Sequence, residues 1–254
     1  MTGSNVFSVS ERTRIQERVL ELAAADPRIV AGAVVGSLAL GEGDRWSDLD
    51  LTFGVAGGVS IAQVLEDWTR TFIAEFDAAH LFDLPSGASI YRVFLLPGCL
   101  QFDLSFTPAA QFGASGPAFR LLFGSAVEKP HYPPPAAHEL FGYAVHHALR
   151  ARFCIERGRY WQAEYWISGT RDYALTLACR RRGMPAVHGR GFDALPPNVH
   201  STFAGALVTS LERAELLRAL GAAIAGLLAE AEEVQELATK VAPELHKLTA
   251  DWDA

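Results

Sequence analysis

The chain of 254 residues has few cysteines, no excess of positive charge and no apolar run long enough to cross a bilayer. Cys99, Cys154 and Cys179 are scattered, odd in number and without C-x-x-C spacing, which argues against a disulfide framework or a zinc site and favours reduced thiols. The apolar stretch 219–229 is shorter than a bilayer-spanning helix. We therefore expect no membrane partner.

The charge balance is also informative. Acidic residues outnumber basic ones, 29 against 22, giving a net charge of -7 and a pI near 5.6. Proteins that grip a nucleic-acid backbone by general electrostatics are basic, so we expect no nucleic-acid partner. Residues 1–16 lack the basic and apolar regions of a secretory signal. With the cysteine usage, this predicts a cytoplasmic enzyme.

The segment 28–55 predicts a strand, a tight glycine turn, a short loop and a second strand. Gly36 lets the backbone approach a ligand, and Ser37 offers a hydroxyl and an N–H at the start of a short helix, 37–40. In the second strand Asp48 and Asp50 alternate with apolar residues, so both carboxylates face the same way. This arrangement is typical of a phosphate and metal site.

A third aspartate, Asp103, lies in the segment 100–106, where polar and apolar residues again alternate as in a half-buried strand. If this strand pairs beside the strand of Asp50, three carboxylates converge. Such a cluster can hold two Mg²⁺ ions about 4 Å apart. The alternative is that each aspartate is a solvated residue on an exposed strand face.

These residues carry a resemblance. The first half of the chain contains three short motifs: Gly36-Ser37, then Ser47-Asp48-Leu49-Asp50-Leu51, and later Phe102-Asp103-Leu104. Together they make it similar to the DNA polymerase beta-like nucleotidyltransferase superfamily. Its small bacterial members include aminoglycoside and lincosamide nucleotidyltransferases. The resemblance implies an α/β nucleotidyltransferase core, a mixed sheet with flanking helices. It also implies that Ser37 contacts the triphosphate and that Asp48, Asp50 and Asp103 bind metal.

A proline cluster within 128–137 predicts the domain boundary, since proline propagates neither a helix nor a central strand. We expect a catalytic domain, 1–129, followed by an all-α helical bundle domain, 136–254, for substrate binding or dimerisation. In that second half the pattern predicts helices over 136–157, 160–182 and 201–231, followed by a closing acidic helical segment to about 248. In the first half, Ser8 and Glu11 have the spacing of a capping box that opens a helix.

Other candidates come from the loops and the second half. Glu164 has aromatic neighbours and resembles the glutamate base that the helical domain of some drug-modifying relatives supplies; its alternative is an intrahelical pair with Arg171. Arg190, between two glycines, and Arg45, just before the aspartates, are candidate nucleotide contacts or else solvated side chains. We expect His146 and His147 to pack rather than bind metal, since adjacent residues of a helix point in different directions.

The function predicted is Mg²⁺-dependent transfer of a nucleoside monophosphate, AMP from ATP, to a hydroxyl of a small molecule, with release of pyrophosphate. The proton would go to Asp103 or to Glu164. Two alternatives stay open: the acceptor is a protein hydroxyl, as in toxin-antitoxin nucleotidyltransferases, or the fold is an inactive nucleotide-binding module. Relatives often build the acceptor pocket between domains or across a dimer, so a homodimer is one expected assembly.

Overall fold

The computed structural model describes residues 6–114, 116–130, 133–250 and 252. The chain divides into two compact units, 1–132 and 133–254. The first is an α/β unit and the second is helical, which confirms the predicted fold class. Residues 131 and 132, within the predicted boundary segment 128–137, lie outside the described residues.

The first unit is built on a six-stranded sheet. Its elements in chain order are α1 (Val9–Ala25), β1 (Ile29–Val35), α2 (Ser37–Leu40), β2 (Leu49–Val55), α3 (Ile61–Phe76), β3 (Ala79–Ser86), β4 (Ser89–Leu96), β5 (Leu100–Pro108) and β6 (Phe119–Phe123). The strand order is β3-β4-β5-β2-β1-β6, with β2 parallel to β5 and the other neighbours antiparallel. The sheet is therefore mixed.

The first helix begins where the sequence predicts it. Ser8 Oγ accepts a hydrogen bond from the Glu11 N–H at 3.2 Å, and Glu11 Oε2 accepts one from the Ser8 N–H at 2.7 Å. These two bonds satisfy amides that have no partner within the helix. The predicted capping box is confirmed.

Helices α1 and α3 pack on one face of the sheet. Every second residue of β2 and β5 turns toward them, and the shared core is apolar and largely aromatic: Val19, Leu51, Phe53, Trp68, Phe72, Phe102, Leu104 and Phe106. Burial of this many large side chains supplies the main stabilising free energy of the unit. The alternate residues of β2 and β5 face the other way.

That other face is polar along the two central strands. Ser105 Oγ donates to Thr52 Oγ1 at 2.8 Å, and a second buried hydroxyl pair joins Ser89 and Thr107 at 2.7 Å. Each hydroxyl satisfies its partner, so these groups are buried without the cost of an unpaired donor or acceptor. The aspartates of the candidate site extend this polar face.

The second unit contains α4 (Ala137–Glu156), α5 (Tyr160–Arg181), α6 (Pro197–Ala204), α7 (Arg213–Ala229) and α8 (Gln235–Lys247). Its core is rich in alanine, which lets α4, α5 and α7 approach closely. Gly158 and Gly183 end α4 and α5 with φ of 66° and 64°, a backbone conformation that favours glycine. No helix in the described part of the chain is both long enough and apolar enough to span a membrane.

One expectation needs correction, and one strand was not predicted. The single helix predicted over 201–231 is wrong, because α6 ends at Ala204 and α7 starts at Arg213. Side chains of α7 stabilise the break: Arg218 donates to the carbonyl oxygens of Gly205 and Leu207, and Glu215 accepts from the Thr209 N–H. Strand β6 was not predicted from the sequence.

Candidate active site

Three carboxylates meet on the polar face of the sheet. Asp48, Asp50 and Asp103 each present an oxygen within 4.8 Å of the oxygens of the other two, and each residue is half-buried. Asp50 and Asp103 are opposite each other in the parallel register of β2 and β5, so their side chains leave the sheet on the same side. Asp48 immediately precedes β2. The structure thus brings together the three residues proposed as metal ligands.

The environment of Asp103 disfavours its ionised form. Burial raises the pKa of Asp103; the hydrogen bond from Gln101 Nε2, 3.0 Å from Asp103 Oδ1, lowers it, and the nearby Asp48 charge raises it. Like charges this close destabilise one another. Three hard oxygen donors with no thiol or imidazole suit Mg²⁺ or Mn²⁺ rather than a softer metal. The donor set therefore fits the divalent cation that the resemblance implies.

The glycine turn lies directly against the cluster. Gly36 has φ 71° and ψ -154°, and a Cβ built on it would be 2.4 Å from Asp50 Oδ2. This backbone conformation is essentially restricted to glycine. The Gly36 N–H donates to the carbonyl of Ala118 at 3.1 Å, so it is already engaged. Ser37 is half-buried and follows at the start of α2. Its contact with a ligand stays a prediction.

The predicted role of Arg45 competes with a structural one. Its Nη1 donates to the carbonyl of Phe7 at 2.6 Å, and its guanidinium lies 4.4 Å from the centre of the Trp46 ring. A phosphate contact would require Arg45 to give up or share these interactions. The role of Arg45 in nucleotide binding stays a prediction.

Glu164 and Arg190 belong to the second unit. Glu164 accepts a hydrogen bond from Ser168 Oγ at 2.7 Å, whereas Arg171 pairs with Asp172 at 2.8 Å, so the intrahelical Glu164 to Arg171 pair is not formed. A cavity of about 390 Å³ is lined by Glu164 together with aromatic and hydroxyl-bearing side chains, among them His147, Tyr165, Ser168 and Tyr173. Arg190 is exposed, just after a 3-10 turn at 187–189. Both roles stay predictions.

The adjacent histidines of α4 pack against aromatic rings. The His147 ring is 4.7 Å from the Trp166 ring and 5.1 Å from the Tyr173 ring, both edge-on, and burial lowers the pKa of His147. Within the described residues, the group whose geometry suits a metal ion is the aspartate cluster and not these histidines.

Sequence reasoning missed two residues that support the cluster. Gln101 donates to Asp103, and it could have been found because it shares a strand face with Asp103 at a spacing of two. Arg12 of α1 donates to carbonyl oxygens in the loop that leads to Asp48. No local pattern marks Arg12, because its partners are 32 and 35 residues away.

No protein-family model matches the chain, and no curated protein matches it in sequence. Among solved structures, the chain is similar to an aminoglycoside 6-adenyltransferase from Bacillus subtilis, at 12% identity and a TM-score of 0.40, over 94% of this chain and 99% of that one. Similarity at this level is too low to transfer an activity or a substrate. An assignment of function therefore depends on the residues of the site.

Proposed function

We propose that the protein is a Mg²⁺-dependent nucleotidyltransferase that moves AMP from ATP to a hydroxyl of a small molecule and releases pyrophosphate. The observation that carries the proposal is the cluster of Asp48, Asp50 and Asp103 with oxygens within 4.8 Å of one another. Gly36, the residue before Ser37, lies against Asp50 of this cluster, which supports a role for the Ser37 hydroxyl in contacting the ligand. The sequence resemblance independently assigns the same residues to this reaction.

The residues of the site have three roles in this proposal. Asp48, Asp50 and Asp103 would hold a divalent cation, whose positive charge would neutralise part of the negative charge of a bound triphosphate. Ser37 would donate its hydroxyl to a phosphate oxygen of ATP. Gly36 lets the turn lie against Asp50, because a Cβ on residue 36 would be 2.4 Å from Asp50 Oδ2.

In the transfer itself, the acceptor hydroxyl oxygen forms a bond to the α-phosphorus of ATP while the bond between that phosphorus and the bridging oxygen breaks. Pyrophosphate carries away the electron pair of the broken bond. We assign the acceptor proton to Asp103, since this residue belongs to the cluster where the reacting groups would be held. Correct positioning and fixed charges would supply most of the rate acceleration.

The proposal is tested by incubating the protein with Mg²⁺ and labelled ATP and measuring pyrophosphate release and transfer of label. The acceptor panel begins with aminoglycosides and lincosamides, because the sequence resembles enzymes that act on them. We expect label on a small molecule. Asp48→Asn and Asp50→Asn should each lower the transfer rate about 100-fold or more, the scale of losing one preorganised charge in an active site.

Asp77→Asn is the matched control. Asp77 is exposed and ends α3 at φ 52°, a conformation that asparagine tolerates, so this variant should keep full activity. Full activity in both cluster variants would refute the proposal. Label on a protein band would instead identify a protein acceptor, and tight Mg-ATP binding without any transfer across the panel would identify an inactive nucleotide-binding module.

A further inference from the structure

Arg12 is a buried cation whose contacts lie in the loop before Asp48. Its side chain leaves α1, and the residue is 5% exposed. Its Nη1 donates to the carbonyl oxygen of Asp44 at 2.8 Å and to that of Ser47 at 2.6 Å. Hydrogen bonds from a charged donor are stronger than those between neutral groups. Arg12 therefore fixes two points of the loop to α1.

The buried positive charge of Arg12 needs compensating contacts. Burying a guanidinium is costly unless hydrogen bonds or an opposite charge compensate it. Among the ion pairs between described residues, none within 4.0 Å involves Arg12. Its positive charge contributes to a lowered pKa of Asp44, after the larger effects of the Trp46 N–H and the Ser47 hydroxyl. The two carbonyl groups are thus its main partners.

Hydrogen bonds within the loop that Arg12 contacts also stabilise it. Asp44 Oδ1 accepts from the Trp46 N–H at 2.8 Å and from Ser47 Oγ at 3.1 Å, and Ser47 Oγ accepts from the Asp44 N–H at 2.9 Å. These bonds close a turn over 44–47. Arg12 then anchors the closed turn to the rest of the unit.

Asp48 directly follows the anchored turn. The Ser47 carbonyl and the Asp48 N–H belong to one planar peptide unit, so fixing that carbonyl also fixes the start of residue 48. Asp48 lies outside β2, and the ladder of the sheet does not hold it as it holds Asp50 and Asp103. Of the three clustered aspartates, Asp48 is the one that needs another anchor.

We propose that Arg12 is a positioning residue for the acid cluster: it holds Asp48 where its carboxylate can share a divalent cation with Asp50 and Asp103. This inference depends on the metal-binding role proposed above. Outer partners of metal ligands typically contribute about 10-fold to 100-fold to metal affinity. Loss of the Arg12 contacts should therefore weaken metal binding without removing any ligand.

The test titrates Mn²⁺ alone, by calorimetry, into the full chain and into Arg12→Met, Arg12→Lys and Arg14→Met. Arg14 is exposed on the same helix and serves as the matched control. We expect about 10-fold or greater weakening in Arg12→Met, a smaller loss in Arg12→Lys, which keeps the charge, and no change in Arg14→Met. Circular dichroism verifies folding, and Arg12→Lys carries the test if Arg12→Met does not fold.

A second readout follows the loop directly. Trypsin cleaves after Arg45, inside the turn that Arg12 anchors, so cleavage there should be faster in the Arg12 variants than in wild type or Arg14→Met. Wild-type Mn²⁺ affinity, or a wild-type cleavage rate, in folded Arg12 variants would overturn the inference. Absence of Mn²⁺ binding in the wild type would overturn the proposed function and this inference together, and the wild-type titration identifies that case.

Discussion

At the scale of single residues, Gly36 determines how closely the chain can approach Asp50. The sequence predicts that this glycine lets the backbone approach a ligand. In the structure the group that comes close is the Asp50 carboxylate, and a Cβ on residue 36 would lie 2.4 Å from its Oδ2. The backbone conformation of Gly36, φ 71° and ψ -154°, adds a second requirement for glycine.

Gly36→Ala should therefore displace the Asp50 carboxylate and strain the turn. We expect a loss of about 1–3 kcal/mol in the free energy of unfolding and a weakening of Mn²⁺ affinity by about 10-fold. Denaturant unfolding and calorimetric titration measure the two effects separately.

Gly41→Ala is the control for backbone strain alone. Gly41 also has a positive φ, 75°, but nothing lies within 4 Å of a Cβ built there. It should lose about 1 kcal/mol of stability and keep its metal affinity. Equal metal affinities in the two variants would show that the contact between residue 36 and Asp50 does not shape the site.

At the scale of elements, one carboxylate joins α1, β1 and α3. Asp26 ends α1 and accepts hydrogen bonds from the Arg28 N–H at 3.0 Å and from Trp68 Nε1 at 2.9 Å. The Arg28 guanidinium pairs with Asp26 at 2.8 Å and with Asp67 at 2.6 Å. These contacts fix the connection between α1 and β1. Arg12 also lies on α1.

This junction predicts a pH dependence of stability. Mainly through the hydrogen bonds from the Arg28 side chain, the pKa of Asp26 falls from 3.8 to about 2. Because the folded pKa is below the unfolded one, the ionised carboxylate stabilises the fold above about pH 4 by about 2 kcal/mol. That contribution should be lost as the pH falls toward 2.

Comparison with Asp26→Asn isolates this group from the other carboxylates that titrate in the same range. Denaturant unfolding at pH 6 should show wild type more stable than the variant, and the difference should shrink by about 2 kcal/mol by pH 2. A difference that stays constant from pH 6 to pH 2 would contradict the assignment.

Local sequence patterns predict most of these elements. They fail where an element depends on contacts with residues that are distant in sequence. The alternation of polar and apolar residues predicts β2 and β5, and Ser8 with Glu11 predicts the start of α1. The break between α6 and α7 depends on Arg218 reaching back to Gly205 and Leu207. Strand β6 forms by pairing with the distant β1. No window of a few residues contains these interactions.

At the scale of the whole molecule, the site exists because β2 and β5 pair in parallel. The sequence shows which face Asp50 and Asp103 occupy in their own strands, but it does not show that these strands are neighbours. The expected convergence therefore depended on a pairing that the structure provides, with Asp50 opposite Asp103. Arg12 could not be identified in the same way, because its helix is far from the loop in sequence.

The central claim is that Asp48, Asp50 and Asp103 form one divalent cation site. The most direct measurement is Mn²⁺ titration of wild type, Asp48→Asn, Asp50→Asn, Asp103→Asn and the control Asp77→Asn, with unfolding followed with and without metal. We predict that metal stabilises wild type and the control, and that each cluster variant loses this effect. Without metal, Asp48→Asn should be as stable as wild type or more so, by on the order of 0.5 kcal/mol, since its repulsion with Asp103 is relieved. Undiminished Mn²⁺ affinity in the three cluster variants would contradict the account.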